Sequence, residues 1–155
     1  MSTIILNSVL LLIVLIPMAY FVLGGSKNKG KIEAFTQKSK SLNINPEKVG
    51  LWQSGAIGID KKSGKLCYSS ELLDQAIHEV DLQSISQCEV KKNFQTENLH
   101  QQDISALKSV TLQLKTIQKS EINIPVYDSK AHPYPGDDLL EAMEWAKIIS
   151  SYIKK

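Results

Sequence analysis

Arginine is absent from this chain of 155 residues: all 18 basic residues are lysines. The planar guanidinium fork that grips a phosphate or a guanine edge with two parallel hydrogen bonds is therefore missing, and lysine does not replace it. A formal net charge of +2 adds no strong field toward polyanions. No nucleic-acid partner is expected. Cysteine is nearly absent too. Cys67 and Cys88 have neither CxxC spacing nor accompanying histidine pairs, so no zinc site is implied and two reduced thiols are expected. A Cys67–Cys88 disulfide is the alternative for a domain facing an oxidising compartment. No GxSxG, P-loop or dinucleotide fingerprint occurs. No cofactor, no metal and no enzymatic activity are expected.

Histidine is scarce as well, with His78, His100 and His132 alone. His78 falls in an alternating run and His100 in a polar loop. Only His132 has acidic company, Asp128, Asp137 and Asp138 in "YDSKAHPYPGDD". A hydrolytic or metal site there would need those groups to converge. The same residue types also suit a turn that opens into a helix.

What the chain does have is one long uncharged run. No charged side chain precedes Lys27, and Ile4–Leu23 is about the length a helix needs to cross a bilayer core. Tyr20 and Phe21 sit where interfacial aromatics belong, and Gly24 and Gly25 follow. A cleaved signal peptide would want a positive start and a shorter apolar core. Met1, Ser2 and Thr3 carry no charged side chain, so a retained span contacting the bilayer through residues 4–23 is expected. Lys27, Lys29 and Lys31 lie just beyond it, with Lys38 and Lys40 further on. The positive-inside rule then puts the N-terminus outside and the remainder in the cytoplasm. Asn7, Ser8 and Pro17 interrupt the run and could face a partner helix.

The remainder reads as residues 26–48, a tether with a short helix, and residues 49–155, a folded domain. Ile32, Phe35, Ser39 and Leu42 have near-helical spacing, with Pro46 as the expected stop. Beyond it the period becomes two. "GAIGIDKKSGKLCYSS" predicts a hairpin, with Asp60 opening the turn and Gly64 free to take positive φ. Runs beginning at Ala76, Gln87, Ser109 and Glu121 add four strands, for about six in all; Pro125 places the last at an edge or a strand end. In the last of the chain, Leu139, Met143, Ala146, Ile149 and Ile153 predict one apolar helical face, and Asp138 with Glu141 resembles a capping box. The expected class is α+β: a transmembrane helix, then a curved antiparallel sheet or partly open barrel closed by an amphipathic helix.

At "HEVDLQSISQCEVKKN" the pattern resembles the pleckstrin-homology-like domains of bacterial membrane proteins, with Leu82 and Ile85 anchoring the link between two strands. "IGIDKKSGKLCY" resembles the hairpin before that link, and the helix from Asp137 resembles the closing helix of that fold. The whole chain is also similar to uncharacterised single-span bacterial membrane proteins. The resemblance implies a tethered, non-enzymatic interaction module at the cytoplasmic face of a bacterial inner membrane, binding a protein partner. Lys61, Lys62 and Lys65 in the hairpin are the candidate contact surface; without arginine, lipid-headgroup specificity is not carried over. An accessory subunit of a membrane complex, an exported domain, and a hydrolase around His132 are the alternatives.

Overall fold

A computed structural model describes residues 28–70, 76–94 and 107–153. The span expected over residues 4–23, the flanking Lys27, and His100 lie outside the described residues. No helix among those described is long and apolar enough to cross a membrane. The chain divides into two compact units, Met1–Ala34 and Phe35–Lys155. The described residues of the first, 28–34, are helical; everything below concerns the second.

Among its described residues the second unit is α+β, with two antiparallel sheets and no closed barrel. Strands β1 (Lys48–Leu51), β2 (Ala56–Asp60), β3 (Lys65–Ser69) and β4 (His78–Asp81) form one sheet in chain order. Strands β5 (Ile85–Phe94), β6 (Leu107–Thr116) and β7 (Glu121–Asp128) form the other. Within this unit helix α1 covers residues 35–41 and helix α2 is Asp138–Tyr152. Seven strands are thus present among the described residues. The added strand, β1, is four residues long and contains Gly50, too short to show a period. One continuous sheet does not form because a single 3₁₀ turn, Leu82–Ser84, breaks the chain between β4 and β5. The Asp81 carboxylate accepts from the Gln83 N–H at 2.9 Å, and Leu82 and Ile85 are buried on either side. Both anchor the link as the sequence reading expected.

The core lies between the sheets and under α2. Ile57, Ile59 and Leu66 face Leu112, Leu114, Ile124 and Val126 in one buried cluster, which Ala142, Trp145 and Ile149 close. Val110, Leu112 and Leu114 are fully buried, as their alternation predicts. β7 is an edge strand, and Pro125 sits in it beside a register shift, where its missing N–H costs no ladder bond. The buried stripe of α2 differs from the expected one. It runs through Asp138, Ala142, Trp145 and Ile149, while Met143 is 40% exposed. The indole of Trp145 is the largest fully buried side chain in the unit, and it sets the helix rotation. Asp138 is not the cap either. Asp137 is the N-cap and makes no side-chain cap bond.

A second cluster, Phe35, Ile44, Ala56 and Cys67, lies apart from the first. It draws on the other face of β2, so every residue of β2 is buried. Residues 35–48, expected as part of a tether, are thus packed on this unit. The helix stops before Pro46. Asn43 takes φ +59°, and Ile44 and Asn43 donate their N–H groups to Ser39 and Lys40 carbonyls at 3.1 and 3.0 Å. This is a Schellman closure. It turns Leu42 outward and Ile44 inward. Asp60 holds the next residues: its carboxylate accepts from the N–H groups of Asn45, Lys62 and Ser63 at 2.9, 3.0 and 3.2 Å. The Asn45 bond leads in holding its pKa below the ordinary value.

Candidate functional site

Sheet edges are where a β-rich unit can accept another chain, so each edge matters. β1 and β4 are four residues long. β7 carries Pro125 and a bulge. β5 differs. It has ten residues, pairs with β6 along one side only, and is regular from Gln87 to Asn93, between register shifts at Ile85/Gln87 and Asn93/Phe94. Its other side has no strand partner among the described residues. Cys88 and Val90 are half-buried against the core, and Gln87, Glu89, Lys91 and Asn93 are exposed.

α2 packs along β5 more closely than along any other strand. Lys48 of β1 reaches Glu144 at 2.6 Å, and its ammonium lies 6.0 Å from the Trp145 ring centroid. That flank of α2 belongs to the first sheet. At 100° per residue, Leu139, Met143 and Ala146 fall on the opposite flank, and Ile153 follows the helix as its C-cap. Leu139, Ala146 and Ile153 pack partly on the core. An unpaired strand edge thus runs beside an apolar helix flank.

A cavity of about 460 Å³ lies at the Ile85 end of this edge. Leu82, Ile85, Ile117 and Tyr152 supply apolar surface, Gln83 and Ser86 polar groups, and Gly64 backbone. Three turns and the end of α2 meet there. Gly64 has φ +69°, as the hairpin reading requires, and accepts from the Leu82 N–H at 2.9 Å. Ile117 donates its N–H to Ser84 at 2.8 Å, which fixes its backbone while its side chain stays 68% exposed. The sequence reading did not single out Ile117 or Tyr152. Ile117 falls out of the period set by Val110, Leu112 and Leu114, and an apolar residue off that phase at the strand's end was its only signal.

The expected contact lysines separate. Lys61 and Lys62 are exposed at the tip of the β2–β3 turn, whereas Lys65 is 2.6 Å from Glu79 across the β3–β4 pair. Lys29 and Lys31 are in the helical residues 28–34 of the first unit. His78 is exposed on the edge strand β4 and stacks on Tyr68 with centroids 5.0 Å apart. Cys67 and Cys88 are free thiols in different clusters. Burial pushes Cys88 up to about 12, so it is a poor nucleophile.

The "YDSKAHPYPGDD" loop is a turn and a clasp. Asp128 accepts from the Lys130 N–H at 2.9 Å and closes the turn. Asp138, 5% exposed, accepts from the Gln53 N–H at 3.1 Å, and Gln53 donates its side-chain amide to the Tyr134 carbonyl at 2.9 Å. No three His, Cys, Asp or Glu side chains among the described residues gather as metal ligands. Burial raises Asp138 to about 6, partly opposed by the Gln53 N–H and by His132. Between about pH 4 and 6 the folded chain therefore holds a proton that the unfolded chain releases, and this contribution to stability falls as pH rises. Asp138→Asn keeps an acceptor for Gln53 and removes the buried charge. It is expected to flatten that dependence and to raise stability near pH 7 by about 1–2 kcal/mol, less than the full shift because a charge at a helix start is itself favourable. Urea melts at about pH 4.5 and 7 check this; an unchanged slope would show that Asp138 does not titrate in the folded chain.

No family model, no curated protein and no solved structure matches this chain.

Proposed function

We propose that this chain is a membrane-tethered, non-enzymatic interaction module that binds a protein partner by accepting an extended segment along β5. The observation that carries this reading is the ten-residue β5 with one unpaired side, next to the apolar flank of α2. Strand addition supplies affinity through main-chain hydrogen bonds and specificity through side-chain pockets, and both elements are present here. A four-plus-three strand order with a closing helix supports a pleckstrin-homology-like reading of the unit. The apolar run of residues 4–23, with lysines following it, supports a span with the unit in the cytoplasm. Tethering would confine the module to one surface and raise its effective concentration for other membrane proteins.

Two measurements test the proposal. A C-terminal reporter active only in the cytoplasm is expected; activity only outside it would overturn the topology. A photocrosslinker at Glu89 is expected to give a discrete adduct in the membrane fraction, while one at Lys119 gives none. Equal capture at both positions, or none at Glu89, would remove β5 as the docking edge.

A further inference from the structure

The two ends of the β5 edge differ in chemistry, and the difference specifies what the edge takes. At one end Ile85 and Ser86 line the cavity, with Leu82, Ile117 and Tyr152 as its other apolar surface. The side chain of Ile117 stands 68% exposed at its rim. An apolar side chain entering there would remove that surface from water. At the other end Lys91 and Lys92 are both exposed. Their cross-strand neighbours are Thr111 and Val110. No carboxylate pairs with either lysine among the described residues, so both ammonium groups are open to an acidic segment laid along the edge.

Resting on the β5 reading, we infer that the partner segment carries one large aliphatic or aromatic residue for the cavity and, roughly six residues away along the strand, two or more carboxylates for Lys91 and Lys92. Six residues of strand span about 20 Å, the distance from the cavity residues to the lysines along β5. A second copy of β5 fits less well. Paired antiparallel about Val90, it would set Lys91 against Glu89 but leave Lys92 opposite Cys88 with no carboxylate, and one residue out of that register Lys91 loses Glu89 as well. Edge lysines also discourage pairing with a neutral strand, so an acidic one is selected against that background.

The test uses the full chain purified in mild detergent and fluorescent peptides of about twelve residues, made in both chain directions, each with one leucine and a Glu-Glu pair roughly six residues from it. Companion peptides replace the leucine by serine or the Glu-Glu by Lys-Lys. The leucine/Glu-Glu peptide is expected to bind in at least one direction, and each replacement to weaken it at least about tenfold. Lys91→Glu combined with Lys92→Glu should reverse the charge preference, and Ile117→Ser should erase the preference for leucine. All three positions are exposed, so these variants keep the fold. Peptides that crosslink at Glu89 yet bind without regard to leucine or charge would overturn this inference and leave the β5 reading standing. Absence of binding by every peptide would overturn both, and a dimer that forms through β5 would replace the acidic partner with a second copy.

Discussion

Gly50→Ala lowers stability by at least about 3 kcal/mol and the melting temperature by more than about 10 °C. A Cβ at position 50 would stand 2.0 Å from Nε1 of Trp145 and 2.7 Å from Cε2, inside the indole itself. Neither partner is free to move. The backbone of Gly50 is fixed by pairing with Ile57, in a strand buried at every residue. The indole is fully buried, and the Glu141 carboxylate accepts its hydrogen bond. Overpacking of this kind is resolved only by lifting α2 from β1, which opens the core that Ala142, Trp145 and Ile149 close. Trp145→Phe removes the atoms that clash. The double variant should therefore lose less than the two single losses added together, by about 1 kcal/mol or more. Urea denaturation of the four chains measures this. A Gly50→Ala midpoint equal to the parent's would mean that α2 does not seat on β1 as described.

The same contact explains where sequence reading stopped. The strand period is visible in Val110, Leu112 and Leu114 because one face of β6 meets the core and no glycine intervenes. β1 shows no period. Its middle is a glycine whose function is to leave room for an indole 95 positions later, and nothing in the local pattern records that. The expected face of α2 lies roughly 70° from the buried one, less than one residue's rotation, for the same reason. Leu139, Met143, Ala146, Ile149 and Ile153 have good helical spacing, but one buried tryptophan outweighs the alignment of smaller side chains. Gln113 shows the converse. Alternation places it outward, yet it is 2% exposed, donating to Glu121 and Asn123 at 3.0 and 3.1 Å while its Oε1 has no partner. Period two reports which face a residue is on and not how well its neighbours cover it.

Local chemistry was legible where it acts locally. The turn at Asp60 and Gly64, the anchors Leu82 and Ile85, and the edge position of Pro125 depend on residues within a few positions of each other. The candidate site depends on distant ones. Its cavity assembles Gly64, Leu82, Ile117 and Tyr152 from three turns and a helix end. The lysines expected to matter, Lys61, Lys62 and Lys65, were conspicuous as a charge run; Lys91 and Lys92 are set apart by their place on the unpaired side of β5, and edge position is a property of the fold.

Phe35→Ala is expected to cost about 3–5 kcal/mol if α1 stays docked on the first sheet, and less if the sheet sheds it. The ring is 5% exposed. Its Cε1 would lie 3.0 Å from a Cβ at position 58, and Gly58 is what lets it rest on the backbone of β2, with Pro46 and Cys67 on either side. Ser39 adds a polar lock. Its hydroxyl donates to the Phe35 carbonyl at 2.9 Å and lies 3.6 Å from the Cys67 sulfur, with no exposure to water. Truncating the ring leaves a void beside Ile44, Ala56 and Cys67 that a single helix turn does not refill. Amide exchange separates the two routes. If α1 remains docked, protection falls together at residues 36–44 and in β6, since the loss is global. If α1 undocks, protection falls over residues 36–44 while β6, buried in the other cluster, keeps most of its own. An unchanged melting temperature with unchanged exchange at 36–44 would mean that these residues are not part of the folded unit, and the boundary would return to the start of β1.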